Sequence, residues 1–287
     1  MSGNGGLARR GPGPPRPEPV GVVGLGVVGA TVRAAFDETG VPTSGYDPSL
    51  GVGSPEDLGP CSVTFLCVGT PGAPKGEHDL THLRSALREI EPHLRDGAIL
   101  AVKSTVPPGT CDELARAHSR LRFVSAPEFL VAAEAMESFR HPDRIVIGAR
   151  AADEAEAVAR LLSAVAPEAP VIFLSPAESE LVKLCANAML AAKVTMANEL
   201  AAVCEMFGVD WSRIRVAVGL DARIGTGHTA ISEEGGFGGR CLPKDVDGFI
   251  AASRAAGYTP QVLEAIAELN RLIRAGVDRA SDLMGQV

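Results

Sequence analysis

Hydrophobic positions along the chain follow two different rhythms. In the first, short apolar runs alternate with amphipathic stretches. "PVGVVGLGVVGATVRAAFDETG" reads as a strand, a glycine turn and a helix ending at Gly40, and "PTSGYDP" as a short strand ending at Asp47. "CSVTFLCVGTP" and "AILAVKSTVPPGT" are continuous apolar runs closed by turn residues, the pattern of strands buried on both faces. "RFVSAPEF", "RIVIGA" and "PVIFLS" read as further strands, and "THLRSALREIEPHLR", "CDELARAHSRL" and "DEAEAVARLLSAV" as helices. Strands alternating with helices at this spacing predict an α/β fold with a parallel, doubly wound sheet.

From about Glu178 the rhythm changes. "ESELVKLCANAMLAAKVTMANELAAVCEMFG" is one long helical stretch with apolar residues on most sides, which predicts a buried central helix. Further helix is predicted around residues 210–219, then a glycine-rich loop, then helices over roughly 243–256 and 260–283. The expected organisation is therefore a disordered tail over residues 1–18, an α/β domain over 19–177 and an all-helical domain over 178–287. The tail, "MSGNGGLARRGPGPPRPE", is rich in Gly, Pro and Arg and lacks the apolar core of a secretion signal.

Composition narrows the function classes. The chain has 287 residues, 46% hydrophobic and 22% charged, with a net charge of −8. That balance gives no electrostatic case for nucleic acid or an anionic membrane surface, although a local basic pocket for phosphate remains open. No apolar run reaches the ~18–20 residues of a membrane span. Six cysteines are scattered without a C-x-x-C pair or a zinc-type His/Cys cluster, so no metal and a reduced, cytoplasmic setting are expected.

Gly24, Gly26 and Gly29 form G-x-G-x-x-G between the first strand and first helix, with Val27 and Val28 inside the hexad. Asp47 closes the second strand about 20 residues on, where an acidic group can bond a ribose 2′-hydroxyl. This is the context of a Rossmann-like dinucleotide site, with the pyrophosphate at the helix N-terminus. Pro48, not a basic residue, follows Asp47, which favours NAD over NADP.

Two stretches in the second half carry candidate chemistry. In "GGFGGRCLPKD" (235–245), Pro243 is placed to open a helix, which puts Cys241 at a helix N-terminus, where a thiolate is favoured over a thiol. The plain alternative is a packed, inert cysteine. Lys183 and Asn187 stand one turn apart on the long helix, among apolar neighbours. They are either a satisfied structural pair or two donors aimed at an oxygen that becomes negative during reaction.

Together, "VGLGVVG", "VGTP" (68–71), "KSTVPPGT" (103–110), "APEFL" (126–130), "HPDRIVIG" (141–148), "SELVKLCANAMLAAK" (179–193), "NE" (198–199), "DARIG" (221–225) and "GFGGRCLPKD" (236–245) resemble the UDP-glucose/GDP-mannose 6-dehydrogenase family from about residue 20 to 275. The resemblance implies NAD-dependent, four-electron oxidation of a CH₂OH group to a carboxylate, through an aldehyde and then a thioester. It implies Cys241 as nucleophile, Lys183 and Asn187 as oxyanion donors, and Asp245 as the residue supporting cysteine and water. Glu128 takes the acid/base role in thioester hydrolysis, and Thr105 positions water. Val68, Gly69, Thr70 and Thr105 fall on NAD-lining segments. Glu128, Phe129, Leu130, Lys183, Asn187, Gly238 and Arg240 fall on substrate-lining ones. Arg223 matches an arginine that reaches substrate in a partner subunit, so a homodimer is expected.

The chain also departs from the family pattern. It stops before the third, nucleotide-gripping domain that the family usually carries. Ala132 stands where a second glutamate is usual, the loop between Arg223 and Cys241 looks longer, and Arg240 replaces a small residue. These departures suggest altered substrate grip, with a small sugar nucleotide, nucleotide or sugar phosphate as substrate. Arg240 and Arg223 then meet its phosphate, unless Arg240 is simply solvated. Two other readings share the motifs: a two-electron β-hydroxyacid dehydrogenase, and a non-catalytic NAD-binding partner protein.

Overall fold

A computed structural model describes residues 18–233 and 235–276. Apart from Glu18, the predicted tail lies outside these residues, as does the end of the predicted last helix. Seven strands form one sheet in the order β2-β1-β3-β4-β5-β6-β7. They are β1 (Val20–Val23), β2 (Thr43–Tyr46), β3 (Val63–Leu66), β4 (Ile99–Val102), β5 (Arg122–Ser125), β6 (Ile145–Gly148) and β7 (Val171–Leu174). Alternation along each strand divides the core. Val22, Phe65, Ala101 and Val124 face one side, and Val23, Leu66, Leu100 and Phe123 the other. Helices α1 (Val27–Glu38) to α5 (Ala152–Val165) cover these faces, with α2 at Thr81–Ile90, α3 at Thr110–Ala117 and α4 at Ala135–Arg140.

The sheet departs from the all-parallel expectation at one place: β6 meets β5 antiparallel, through the single pair Ser125↔Gly148. A parallel return needs a full crossover helix laid along the sheet. The segment after β5 has a 3-10 turn over Ala132–Glu134 and the short α4, which packs against α1. Helix α2 also stops earlier than its pattern suggests, because Pro92 turns the chain into a short 3-10 segment over Glu91–His93.

The long helix α6 (Pro176–Met206) begins at a capping box. Ser175 and Glu178 satisfy each other's backbone N–H groups, and Pro176 follows the cap. One face carries Ser179, Lys183, Asn187, Ala191, Thr195 and Asn198 at near-regular four-residue spacing, and all are buried. The other face is exposed, which corrects the expectation of a helix buried all round. Met189, Met196, Leu200, Val203 and Met206 form an apolar stripe open to solvent, with Met189 67% and Met206 63% exposed. Apolar residues on both faces erase the amphipathic signal, so sequence alone reads them as one buried helix.

Helix α7 (Trp211–Gly219) follows, then α8 (Leu242–Ala255) and α9 (Gln261–Arg274). Ala191 of α6 packs with Phe237, Val246, Ile250, Ile266 and Ala267 in a small separate core. This core holds the glycine-rich loop and α8 against α6. Glu180, also buried, accepts the backbone N–H groups of Gly109 (2.5 Å) and Cys111 (2.8 Å), pinning the start of α3 to α6. Burial raises the Glu180 carboxyl above its ordinary value despite these bonds.

Candidate active site

The loops after β1 and β3 flank the place where the strand order reverses, the usual crevice for a ligand in an open α/β sheet. At the first loop, a Cβ on Gly29 would lie 1.8 Å from the Gly24 carbonyl oxygen, so only glycine lets α1 come this close to β1. Gly26, in contrast, faces open space, and Val27 beside it is 60% exposed at the helix N-terminus. An open glycine over free backbone N–H groups fits a pyrophosphate.

Asp47 is buried and already engaged. It accepts the Leu25 N–H (2.7 Å) on one oxygen, and the Ser49 N–H (3.0 Å) and hydroxyl (2.6 Å) on the other. Burial pushes its carboxyl up, but these bonds outweigh it and hold the group below the usual aspartate range. At the second loop, the Thr70 hydroxyl donates to the Thr105 carbonyl (2.7 Å) and Ser104 to the Val68 carbonyl (2.6 Å), stitching the ends of β3 and β4 together. Val68, Gly69, Thr70 and Thr105 thus stand on one wall beside the glycine turn.

The helical half adds a second cluster. Cys241 is the exposed N-cap residue of α8, and the Asp245 N–H donates to its carbonyl (3.0 Å). The Asp245 side chain is 1% exposed, so the Cys241 thiol and the carboxylate lie one turn apart, on the outside and inside of the same helix end. Asp245 accepts from Asn187 Nδ2 (2.5 Å), from Lys244 Nζ (2.5 Å) and from His78 Nε2 (3.1 Å). Burial raises its carboxyl, but the His78 bond and the Lys244 charge outweigh this and hold it below the ordinary value. The stabilisation this implies is fully present above the ordinary aspartate range and is lost as pH falls through the depressed value.

Lys183, one turn before Asn187, pairs with Glu128 (Nζ–Oε1 3.3 Å) and lies 5.4 Å from the centre of the Phe129 ring. The other Glu128 oxygen accepts the Leu130 N–H (2.5 Å). The two expected oxyanion donors are therefore each tied to a different carboxylate, Lys183 to Glu128 and Asn187 to Asp245. Both keep further N–H groups.

The glycine-rich loop is held by two buried amides. Asn270 of α9 accepts the Phe237 N–H (2.6 Å) and donates to its carbonyl (2.9 Å), and Asn198 of α6 accepts the Gly236 N–H (3.2 Å). Gly238 lies against the Arg274 guanidinium. Arg240 is exposed beside Cys241. Arg223 is not brought to this cluster: its side chain is 88% exposed and it forms a bidentate pair with Asp221.

Two titratable residues that the sequence pattern does not single out also stand here. Lys103, at the end of β4, is buried with Glu128, Phe129 and Phe139 around a cavity of about 40 Å³. Burial lowers its ammonium below the usual lysine value. A lysine ending an apolar run is a visible signal in hindsight. His78 has none, since it reaches Asp245 across 167 positions of sequence.

The chain matches the models of the UDP-glucose/GDP-mannose dehydrogenase family, its NAD binding domain over residues 53–166 and its central domain over 177–272. The UDP-glucose 6-dehydrogenase of Pseudomonas aeruginosa is 36% identical over 226 residues, 75% of this chain and 49% of that relative. The chain thus spans about half the length of that curated relative. The UDP-glucose 6-dehydrogenase AglM of Haloferax volcanii is 30% identical, over 87% of this chain and 68% of its own length. Among solved structures, a UDP-glucose dehydrogenase from Pyrobaculum islandicum superposes with a TM-score of 0.83 at 33% identity, covering 98% of this chain and 73% of that one.

Proposed function

This chain belongs to the UDP-glucose/GDP-mannose dehydrogenase family, and from that premise we propose that it oxidises the primary alcohol of a nucleotide sugar, or of a related sugar or nucleoside phosphate, to a carboxylate. It carries the family's NAD-binding domain. Gly24–Gly29, Asp47 and the 68–70 wall would hold the dinucleotide, which when bound supplies the hydride acceptor. The observation that carries the reading is Cys241 on a helix N-terminus, one turn before a buried carboxylate bonded to Asn187.

In this reading the Cys241 sulfur adds to the aldehyde carbon, and its oxygen becomes an oxyanion. Lys183 and the free Asn187 N–H stabilise that charge, each such donor being worth a few kcal/mol, roughly 2.7–4, in a dry site. After the second oxidation the acyl group is a thioester on Cys241. Glu128, next to Lys183, takes the proton of the attacking water, and Thr105 orients that water. Arg240 and Arg223 meet substrate phosphate.

The test is a panel of sugar nucleotides, nucleotides and nucleosides assayed for NAD reduction. Two NADH per molecule consumed is the expected result. One NADH per molecule would mean a two-electron dehydrogenase, and none with any compound would remove the enzymatic reading.

The exposed stripe on α6, with Val216 and Val218 of α7, supports a homodimer packed through these helices, in which the free side of Arg223 reaches the partner's site. Light scattering should show a dimer. Met196→Glu combined with Val203→Glu should weaken it at least about a hundredfold, by burying two charges in place of two apolar side chains. An unchanged dimer would place the interface elsewhere.

A further inference from the structure

We propose that His78 is a positioning residue that clamps the nucleophile-bearing helix α8 to the cofactor-side loop through Asp245. The inference rests on the reading of Cys241 as nucleophile. His78 comes from the loop after β3, and its side chain is fully buried, at 0% exposure. The loop is a tight hairpin. Gly72 and His78 form an isolated antiparallel bridge, the Ala73 N–H donates to the Glu77 carbonyl (2.7 Å), and the Asp79 N–H donates to the Pro71 carbonyl (2.7 Å). Its root, Pro71, directly follows the Val68–Thr70 wall of the cofactor crevice.

The hairpin lies along the first turns of α8. The space beside Gly72 is bounded by Lys244, and that beside Gly76 by the backbone of Asp247. The imidazole fits because residue 248 is glycine: a Cβ there would lie 2.1 Å from the ring. A slot cut into the helix one turn beyond Asp245 is thus filled by a ring from the other half of the molecule. Nε2 bonds Asp245 (3.1 Å), while the buried Nδ1 has no hydrogen-bond partner among the described residues. A proton on Nδ1 would be an unpaired buried donor, so the geometry favours the tautomer with its proton on Nε2, donating to the carboxylate.

Asp245 therefore takes donors from three places: His78 from the cofactor-side loop, Asn187 from α6 and Lys244 from its own helix. Lys183 stands one turn from Asn187 on α6, and Cys241 one turn before Asp245. Removing His78 leaves α6 and α8 bonded to each other but removes the side-chain hydrogen bond that ties Asp245 to the hairpin at the cofactor wall. It also deprives the carboxylate of a donor, and this loss raises the pH at which Asp245 takes up a proton.

His78→Leu keeps the bulk and removes the donor, and His78→Gln restores an N–H at about the reach of Nε2. With a sugar-nucleotide substrate, His78→Leu should lower kcat about tenfold with a smaller change in KM. It should also move the acidic limb of the pH profile to higher pH, and His78→Gln should recover most of both. A wild-type pH limb and kcat in His78→Leu would overturn the proposal. Long-range ¹⁵N–¹H spectra of the histidine side chains give a readout independent of turnover. They should show one Nε2–H tautomer that disappears in His78→Gln and shifts in Asp245→Asn. A His78 signal indifferent to Asp245→Asn would also overturn it, even if the leucine variant failed to fold. If the wild type reduced NAD with no substrate while this signal responded, the enzymatic reading would fall and the clamp would stand.

Discussion

Cys241→Ser will stop complete turnover. A serine hydroxyl is a far weaker nucleophile than a thiolate toward an aldehyde carbon, and it cannot form the thioester that the proposed mechanism requires. The expected fall in carboxylate formation is at least about a thousandfold, roughly 4 kcal/mol of transition-state stabilisation. The fold should not suffer, because Cys241 is exposed at the helix cap and is absent from the core around Phe237 and Val246. Melting temperature should therefore match the parent while the two-NADH stoichiometry collapses. A mass shift at Cys241 with an aldehyde substrate, absent in the serine variant, would show the covalent adduct directly. Undiminished turnover in Cys241→Ser would end the nucleophile reading and leave the two-electron alternative.

The second large effect is expected at Gly29, where the smallest substitution meets a wall. A methyl group at this position would lie 1.8 Å from the Gly24 carbonyl oxygen, 2.9 Å from the carbonyl carbon and 3.2 Å from the Cys67 side chain. Backbone cannot move aside as a side chain can, so Gly29→Ala must lift α1 from β1 or deform the turn. Either costs about 1–3 kcal/mol or more. It also displaces the N–H groups that would face the pyrophosphate, and NAD affinity should fall by about a hundredfold. Gly26→Ala is the contrast. Its Cβ meets nothing within 4 Å, so thermal stability should hold while NAD affinity drops, because the methyl occupies the ligand's space. Thermal melts beside NAD titrations separate the two. Equal melting temperatures for both variants would mean that the close approach of α1 to β1 carries no energetic weight.

Sequence and structure divide the molecule in a consistent way. Local patterns carried the α/β half. Strands buried on both faces leave continuous apolar runs, and the glycine hexad followed by Asp47 marks a turn whose geometry depends on neighbours in sequence. The helix-cap position of Cys241 was legible for the same reason, since Pro243 restricts the backbone beside it. The antiparallel β5–β6 pair was not legible, because direction depends on how the intervening segment packs, and α4 chose α1. Nor were the two faces of α6, where one apolar surface packs inside the chain and the other is left open.

At the site, the sequence by itself determined which chemical groups are present and that Lys183 and Asn187 share a helix face. Only the tertiary structure decided their partners. It paired Lys183 with Glu128 and Asn187 with Asp245, put Lys103 on the same cavity wall as Glu128, left Arg223 outside, and brought His78 from a distant loop into the slot at Gly248. The physical reason is range. Periodicity and capping act over one or two turns of chain, whereas a buried charge takes whichever partner packing brings within about 3 Å, however far away it lies in sequence.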